Sequence, residues 1–171
     1  WIGLTSRARV VYASKERYQP GAAATYEDLA TPHLKGRVCT RSGKHEYNIG
    51  LLAAMIAEKG EAAAETWARG LKANLARKPQ GSDRTQVKAI KDGVCDVALV
   101  NTYYMGLMQT NDKEPEQKEW AKAVNIVFPT FGGKGTHVNV SAAGITKHAK
   151  NKANAVKLLE FLSDDLAQKM Y

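Results

Sequence analysis

Asp96-Val97-Ala98-Leu99-Val100-Asn101-Thr102-Tyr103-Tyr104 is a mostly apolar run that ends in two adjacent phenols. Residues 94–100 read as a strand, and its near-continuous apolar character is that of a strand covered on both faces. In an open α/β sheet, ligands bind outside the carboxyl ends of parallel strands. Tyr103 and Tyr104 stand just past such an end. A third phenol, Tyr47, follows another strand in Arg37-Val38-Cys39-Thr40-Arg41-Ser42-Gly43-Lys44-His45-Glu46-Tyr47. Three phenols delivered to one sheet edge suit a small, hard, highly charged cation, of which ferric iron is the leading candidate. The plainer alternative is that each tyrosine packs with its hydroxyl in water.

Working outward, strands and helices alternate as they do in a parallel sheet with crossover helices. Residues 9–12 are extended, residues 25–29 begin a short helical turn that stops near Pro32, and residues 36–40 form a short strand. Leu51, Leu52, Met55 and Ile56 recur at helical spacing within residues 44–59, and Gly60 closes that helix. Residues 61–72 read as an alanine-rich helix, 74–77 as an edge strand, and 85–91 as a helix stopped by Gly93. After the tyrosine pair come helices over 104–108 and 115–123, a strand over 125–128, and a glycine turn over 132–135. A strand over 136–140, an amphipathic helix over 151–162 and a short capped helix complete the pattern. The expected architecture is α/β, a mostly parallel sheet with helices on both faces.

The chain of 171 residues is long enough to bury a core and carries 44% hydrophobic and 25% charged residues. No apolar run approaches the ~20 residues of a membrane-spanning helix. It opens at Trp1-Ile2-Gly3-Leu4 with neither an initiator Met nor a signal-peptide pattern, which reads as a processed or trimmed product. The net charge of +8 raises nucleic acid as a partner. The cations are scattered among acids, however, and the basic run of residues 147–152 lacks aromatics for base stacking. No nucleic-acid role is expected. Two cysteines exclude a zinc cluster, and Cys39 and Cys95 are either buried thiols or one disulfide.

An enzyme is hard to assemble from these residues. There is no Gly-x-Ser-x-Gly elbow, and the four histidines are dispersed. Gly132-Gly133-Lys134-Gly135-Thr136 lacks phosphate-loop spacing and reads as a turn. Ser42-Gly43, between a strand and a helix and flanked by Arg41 and Lys44, is a seat for an anion, or else an ordinary helix start with Ser42 as its cap. The tyrosines suit ferric iron because metal binding deprotonates its ligands, and a phenol of pKa ~10 yields its proton near neutral pH only to a strongly charged ion.

These residues resemble the bacterial ferric-ion-binding proteins, the periplasmic substrate-binding components of iron ABC transporters. The likeness is carried by residues 1–12, Cys39-Thr40-Arg41-Ser42-Gly43 with Tyr47-Asn48, Pro79-Gln80-Gly81, Cys95-Asp96-Val97, Asn101-Thr102-Tyr103-Tyr104, and Gly135-Thr136-His137-Val138-Asn139-Val140-Ser141. It implies a lobe of the type II periplasmic-binding-protein fold. Residues 1–9 would be a hinge strand and remnant of the first lobe, 10–133 the second lobe, and 134–171 a segment returning toward the first. It implies Fe³⁺ held by Tyr47, Tyr103 and Tyr104, with Arg41, Ser42, Gly43 and Asn101 touching the ligands or a synergistic anion such as carbonate, phosphate or citrate. Delivery would be to an ABC transporter permease, in the periplasm or on an extracytoplasmic membrane anchor. A binding module for another anion or oxyanion is the alternative.

Some features depart from the family pattern. Most of the first lobe, with the ligand it contributes, is outside this chain. Asp83 stands where anion-dependent members often have Asn, and its charge opposes a bound anion. The periplasmic setting implied by the resemblance favours a Cys39–Cys95 bridge. Uncovered apolar residues at Trp1, Ile2 and 138–140 imply self-association of this chain.

Overall fold

The computed structural model describes residues 1–170. Its organising element is a long strand, β1 (Ile2–Ser14), whose second half, Val10 to Ala13, is completely buried. β1 lies between β3 (Val97–Asn101) and β4 (Val124–Val127), and β2 (Val38–Cys39) adds beyond β3, giving the order β2-β3-β1-β4. β2 and β3 run parallel, with Val38 opposite Val97 and Cys39 opposite Ala98. β1 runs antiparallel to both of its neighbours, pairing Arg9 with Asn101 and Val11 with Val127. The sheet is therefore mixed rather than mostly parallel. Only β2 and β3 obey the crossover pattern, because β1 enters from outside the local strand–helix alternation. β5 (Val138–Ala143) also pairs with β1.

Ala8–His137 forms one compact unit. Side chains alternate across its sheet, so two cores form. On one face Val11, Ala13, Val38, Val97 and Leu99 pack with Leu51 and Met55 of α1 (Glu46–Lys59) and Trp67 of α2 (Glu61–Ala73). On the other, Val10, Tyr12, Ala98 and Val100 pack with Val87 and Ile90 of α3 (Asp83–Lys91), Met108 of α4 (Tyr104–Gln109) and Ala121 of α5 (Glu116–Lys122). Helices cover both faces, as expected for a strand as apolar as β3.

Local chemistry sets the boundaries. Gly60, at φ 84°, ends α1 and starts α2 in a conformation that disfavours a Cβ. α2 approaches the 3₁₀ turn Glu27–Ala30 so closely that a Cβ on Gly70 would lie 2.8 Å from the Ala30 carbonyl oxygen. Trp67 donates its indole N–H to the Tyr26 carbonyl at 2.6 Å, which satisfies a buried polar edge. Thr25 and Asp28 exchange side-chain-to-backbone hydrogen bonds across that turn, so Thr25 caps it as the sequence suggests. Ser82 and Thr85 form a capping box that starts α3 at Asp83, two residues earlier than the apolar pattern indicates. The edge strand expected over 74–77 shrinks to one bridge, Leu75 beside Val38, because β2 itself is only two residues long.

Cys39 and Cys95 are bridged, with Cα atoms 5.9 Å apart. Asp96 and Val97 both donate backbone N–H groups to the Arg37 carbonyl, which draws the start of β3 against the end of β2 and brings the thiols within reach. Beside the bridge, the Asp96 carboxylate accepts hydrogen bonds from Arg17 and Arg37. Burial alone would raise its pKa, but the Arg37 and Arg17 hydrogen bonds outweigh it and hold the group below its usual value. The bridge spans 56 residues of sequence. Its replacement by two serines is expected to lower unfolding free energy by about 2–4 kcal/mol, read as a reduced denaturant midpoint. An unchanged midpoint would show that the bridge does not constrain the unfolded chain.

The second unit comprises Trp1–Arg7 and the chain from Val138 onward. Within it the Arg7 guanidinium donates to the Ser141 hydroxyl at 2.6 Å. Asp164 caps α7 (Asp165–Gln168) by accepting the Leu166 N–H at 3.0 Å. α6 (Lys152–Ser163) has no buried side chain. Its Val156, Leu158 and Phe161, with Trp1, Val138 and Val140, leave this unit rich in uncovered apolar surface.

Candidate metal centre

β2 and β3, being parallel, end at the same sheet edge. The chain leaves β3 at Asn101 and turns at once, so Tyr103 caps α4 and Tyr104 is its first residue. In an extended strand consecutive side chains point to opposite faces; the turn brings these two together. Their rings stack with centroids 4.5 Å apart and planes 30° from parallel. From β2, the loop of residues 40–45 leads into α1, where Tyr47 is the second helical residue. The Tyr47 and Tyr103 hydroxyls lie 3.0 Å apart in a hydrogen bond. The three phenol side chains thus form one contiguous cluster, in which Tyr103 touches both of the others.

The Ser42-Gly43 loop differs from its sequence reading. His45, not Ser42, caps α1, its Nδ1 accepting the Tyr47 N–H. His is a poor cap by type, so residue preference points to Ser42. Ser42 and Gly43 are exposed and lie before the helix, and the Ser42 hydroxyl accepts the Lys44 N–H while its carbonyl accepts that of His45. One of the helix-end N–H groups expected to face an anion is therefore already used. Asn48 holds this loop in place: its amide donates to the Thr40 hydroxyl and to the Arg41 and Ser42 carbonyls.

Beneath the phenols lies a charged layer that the sequence reading did not assemble. Asp83 is fully buried and joins Arg9 at 2.6 Å and Arg41 at 3.3 Å. It also accepts the Asn101 backbone N–H at 2.8 Å. Arg9 donates further to the side-chain oxygens of Asn101 and Asn48. The signal available in the sequence was Arg9 itself, a charge adjoining the apolar run of residues 10–13, since a buried cation requires a partner. Two arginines and one aspartate leave this layer with one net positive charge. The Arg41 guanidinium stands 5.0 Å from the centre of the Tyr47 ring, and that of Arg84 5.8 Å from that of Tyr104.

The Tyr47 and Tyr103 hydroxyls are held protonated at rest. The hydrogen bond from Tyr103, reinforced by burial, raises the Tyr47 pKa. Burial, followed by the hydrogen bond with Tyr104, raises that of Tyr103. Among the described residues, no group of three or more His, Cys, Asp or Glu is placed to hold a metal ion, so the phenols are the metal-type donors of this edge. Clustered phenols bind a cation only by losing protons to it, which favours a hard ion of high charge.

Comparison with known proteins places the chain among ligand carriers. The sequence pattern of the bacterial extracellular solute-binding protein family matches residues 1–171. Iron uptake protein A1 of Synechocystis is 46% identical over 169 residues, 98% of this chain and 46% of that protein. Ferric iron-binding protein A of Mannheimia haemolytica, in an open conformation, superposes with a TM-score of 0.90 at 55% identity, over 98% of this chain and 52% of its own. A Trichodesmium protein solved with iron and citrate ligands gives 0.93 at 43% identity, over 99% and 53%. The chain spans about half the length of these relatives. With its α/β lobe, its phenol cluster and a match along its whole length, the chain belongs to the bacterial extracellular solute-binding protein family, and its resemblance is to members named for ferric iron.

Proposed function

We propose that this chain captures ferric iron through the phenolates of Tyr47, Tyr103 and Tyr104 and serves, as one lobe of a two-lobed carrier, to deliver it to an ABC-type importer outside the cytoplasmic membrane. The observation that carries the reading is the cluster of three phenols at one sheet edge, with the Tyr47 and Tyr103 hydroxyls 3.0 Å apart and the Tyr104 ring stacked on that of Tyr103. Three phenolates cancel the charge of Fe³⁺, so no anion is required for neutrality. The remaining coordination positions would fall to water, to an anion such as carbonate, phosphate or citrate, or to groups from another lobe. Binding without catalysis accords with the family, and the buried bridge of Cys39 and Cys95 accords with an oxidising compartment. Residues 10–133 would form the second lobe, residues 1–9 the hinge and residues 134–171 the return toward the first. Where that lobe is absent, the exposed Trp1, Val138 and Val140 favour self-association.

Titration with ferric citrate tests the reading. A visible phenolate-to-iron charge-transfer band should grow to one iron per chain; a colourless complex would refute phenolate ligation. The oxyanion alternative has weaker support, because Asp83 already occupies Arg9 and Arg41.

The raised phenol pKa values fix the pH dependence. Since Tyr47 and Tyr103 are protonated at neutral pH in the free site, each phenolate bound to iron releases a proton. Affinity therefore rises with pH and falls on acidification, by up to roughly a thousandfold per pH unit if all three protons are released. Following the band from pH 7.5 to 5.5 against a fixed chelator checks this. A pH-independent affinity would mean that the phenols do not ligate as phenolates.

A further inference from the structure

A cavity of about 670 Å³ opens on the α1–α2 side of the sheet, beside the loop that carries Tyr47 but separate from the phenols. Its wall is apolar: Leu52, Ala68, Leu71 and Leu75 are only partly buried there, over a core that includes Leu51, Leu99 and Trp67. Protein interiors normally close around voids of this size, and the lining forfeits dispersion contacts when they do not. The mouth is cationic. Lys72, Arg77 and Lys78 all line it, and no acidic residue does among the described residues. Among the described residues, the lysines joined in ion pairs are Lys59, Lys88, Lys118, Lys122 and Lys134, and Lys72 and Lys78 are in none. The Arg77 guanidinium uses one terminal nitrogen on the Thr85 carbonyl and the Gln86 side chain, while its Nε is buried without a hydrogen-bond partner.

An apolar chamber of ligand size with a few convergent polar groups at its rim is the form of a small-molecule site. We propose that this cavity binds an amphipathic monoanion, a medium-chain carboxylate, with its hydrocarbon on Leu52, Ala68, Leu71 and Leu75 and its carboxylate among Lys72, Arg77 and Lys78. The chemistry of the two ends selects that class. A neutral lipid leaves the rim charges without a counterion, and a small inorganic anion leaves the apolar wall in contact with water. None of the three tyrosines lines the cavity, although Gly43 and Asn48 of the neighbouring loop and helix do.

Dodecanoate is the probe, with dodecan-1-ol as its uncharged counterpart, titrated calorimetrically into the full chain without iron. Dodecanoate should bind at one site and the alcohol at least about tenfold more weakly. Reversing Lys72 and Lys78 together to Glu should weaken dodecanoate by about tenfold, as the loss of two partly screened charge contacts. Reversing Lys91, on the helix covering the opposite face of the sheet, should leave it unchanged. Filling the chamber through Ala68→Trp should abolish binding, with circular dichroism confirming that the helices persist. If that variant unfolds, the lysine reversals, being at exposed positions, decide the matter. Equal binding of acid and alcohol, or a Lys72/Lys78 variant that binds dodecanoate like the parent, overturns the proposal. The ferric band should survive every substitution, so its separate loss would count against the iron reading and not against this one.

Discussion

Replacing Tyr103 with Phe is expected to lower affinity for ferric iron by at least ~100-fold, since disturbing even the groups that support a metal ligand costs 10–100-fold. Tyr103 is the central phenol: its hydroxyl bonds to that of Tyr47, and its ring stacks on that of Tyr104. The substitution leaves two phenolates against a triply charged ion and opens a coordination position to water. It keeps the ring that stacks on Tyr104, and the side chain is 38% exposed, so stability should change by less than about 0.5 kcal/mol. Competition against citrate, with the intensity of the charge-transfer band as a second readout, measures the effect. Unchanged affinity in a folded Tyr103→Phe variant would remove Tyr103 from the ligand set.

Asp83→Ala is expected to be the most damaging single change to stability, at about 3–5 kcal/mol. The carboxylate is wholly buried and answers Arg9, Arg41 and the Asn101 N–H together. Without it, the Arg9 guanidinium, 2% exposed, has no counter-charge in a region that water does not reach. Burial already holds the Arg9 pKa below its usual value, and Asp83 is the chief opposing influence. Asp83→Asn retains an acceptor for the N–H and should lose less. Urea denaturation of the three proteins checks the order; a loss under 1 kcal/mol in the alanine variant would show that solvent reaches and relieves Arg9.

Much of this architecture was legible because it is written locally. The Leu51/Met55 spacing, the closing Gly60 and the unbroken run of β3 each lie within a dozen residues, and they placed all three phenols at the right sheet edge. The direction of β1 was not legible, since its partners lie some 90 residues away and its pairing depends on how the sheet as a whole assembles. The two-residue length of β2 was hidden for a related reason: the Gly36–Thr40 segment has strand character throughout, and only its alignment with β3 decides which residues pair. Only part of the role of Asp83 was legible. Taken alone it opposes an anion; in place, it is the counter-charge of two arginines. The cysteine pairing likewise depended on the Arg37 carbonyl drawing two strand ends together.

The pairing of Arg9 with Asn101 across β1 and β3 also disciplines the folding reaction. Sheets in which both faces are apolar tolerate misalignment, because Val can replace Val in a slipped ladder with little penalty. A shift of β1 by one residue would turn every side chain to the opposite face. It would carry Arg9 away from Asp83 and set an apolar side chain above the carboxylate, so the slipped arrangement strands the Arg9 charge and leaves Asp83 with Arg41 alone. The layer beneath the phenols thereby serves as a proofreading device for strand alignment, and it rejects near-native traps that the hydrophobic pattern alone would accept.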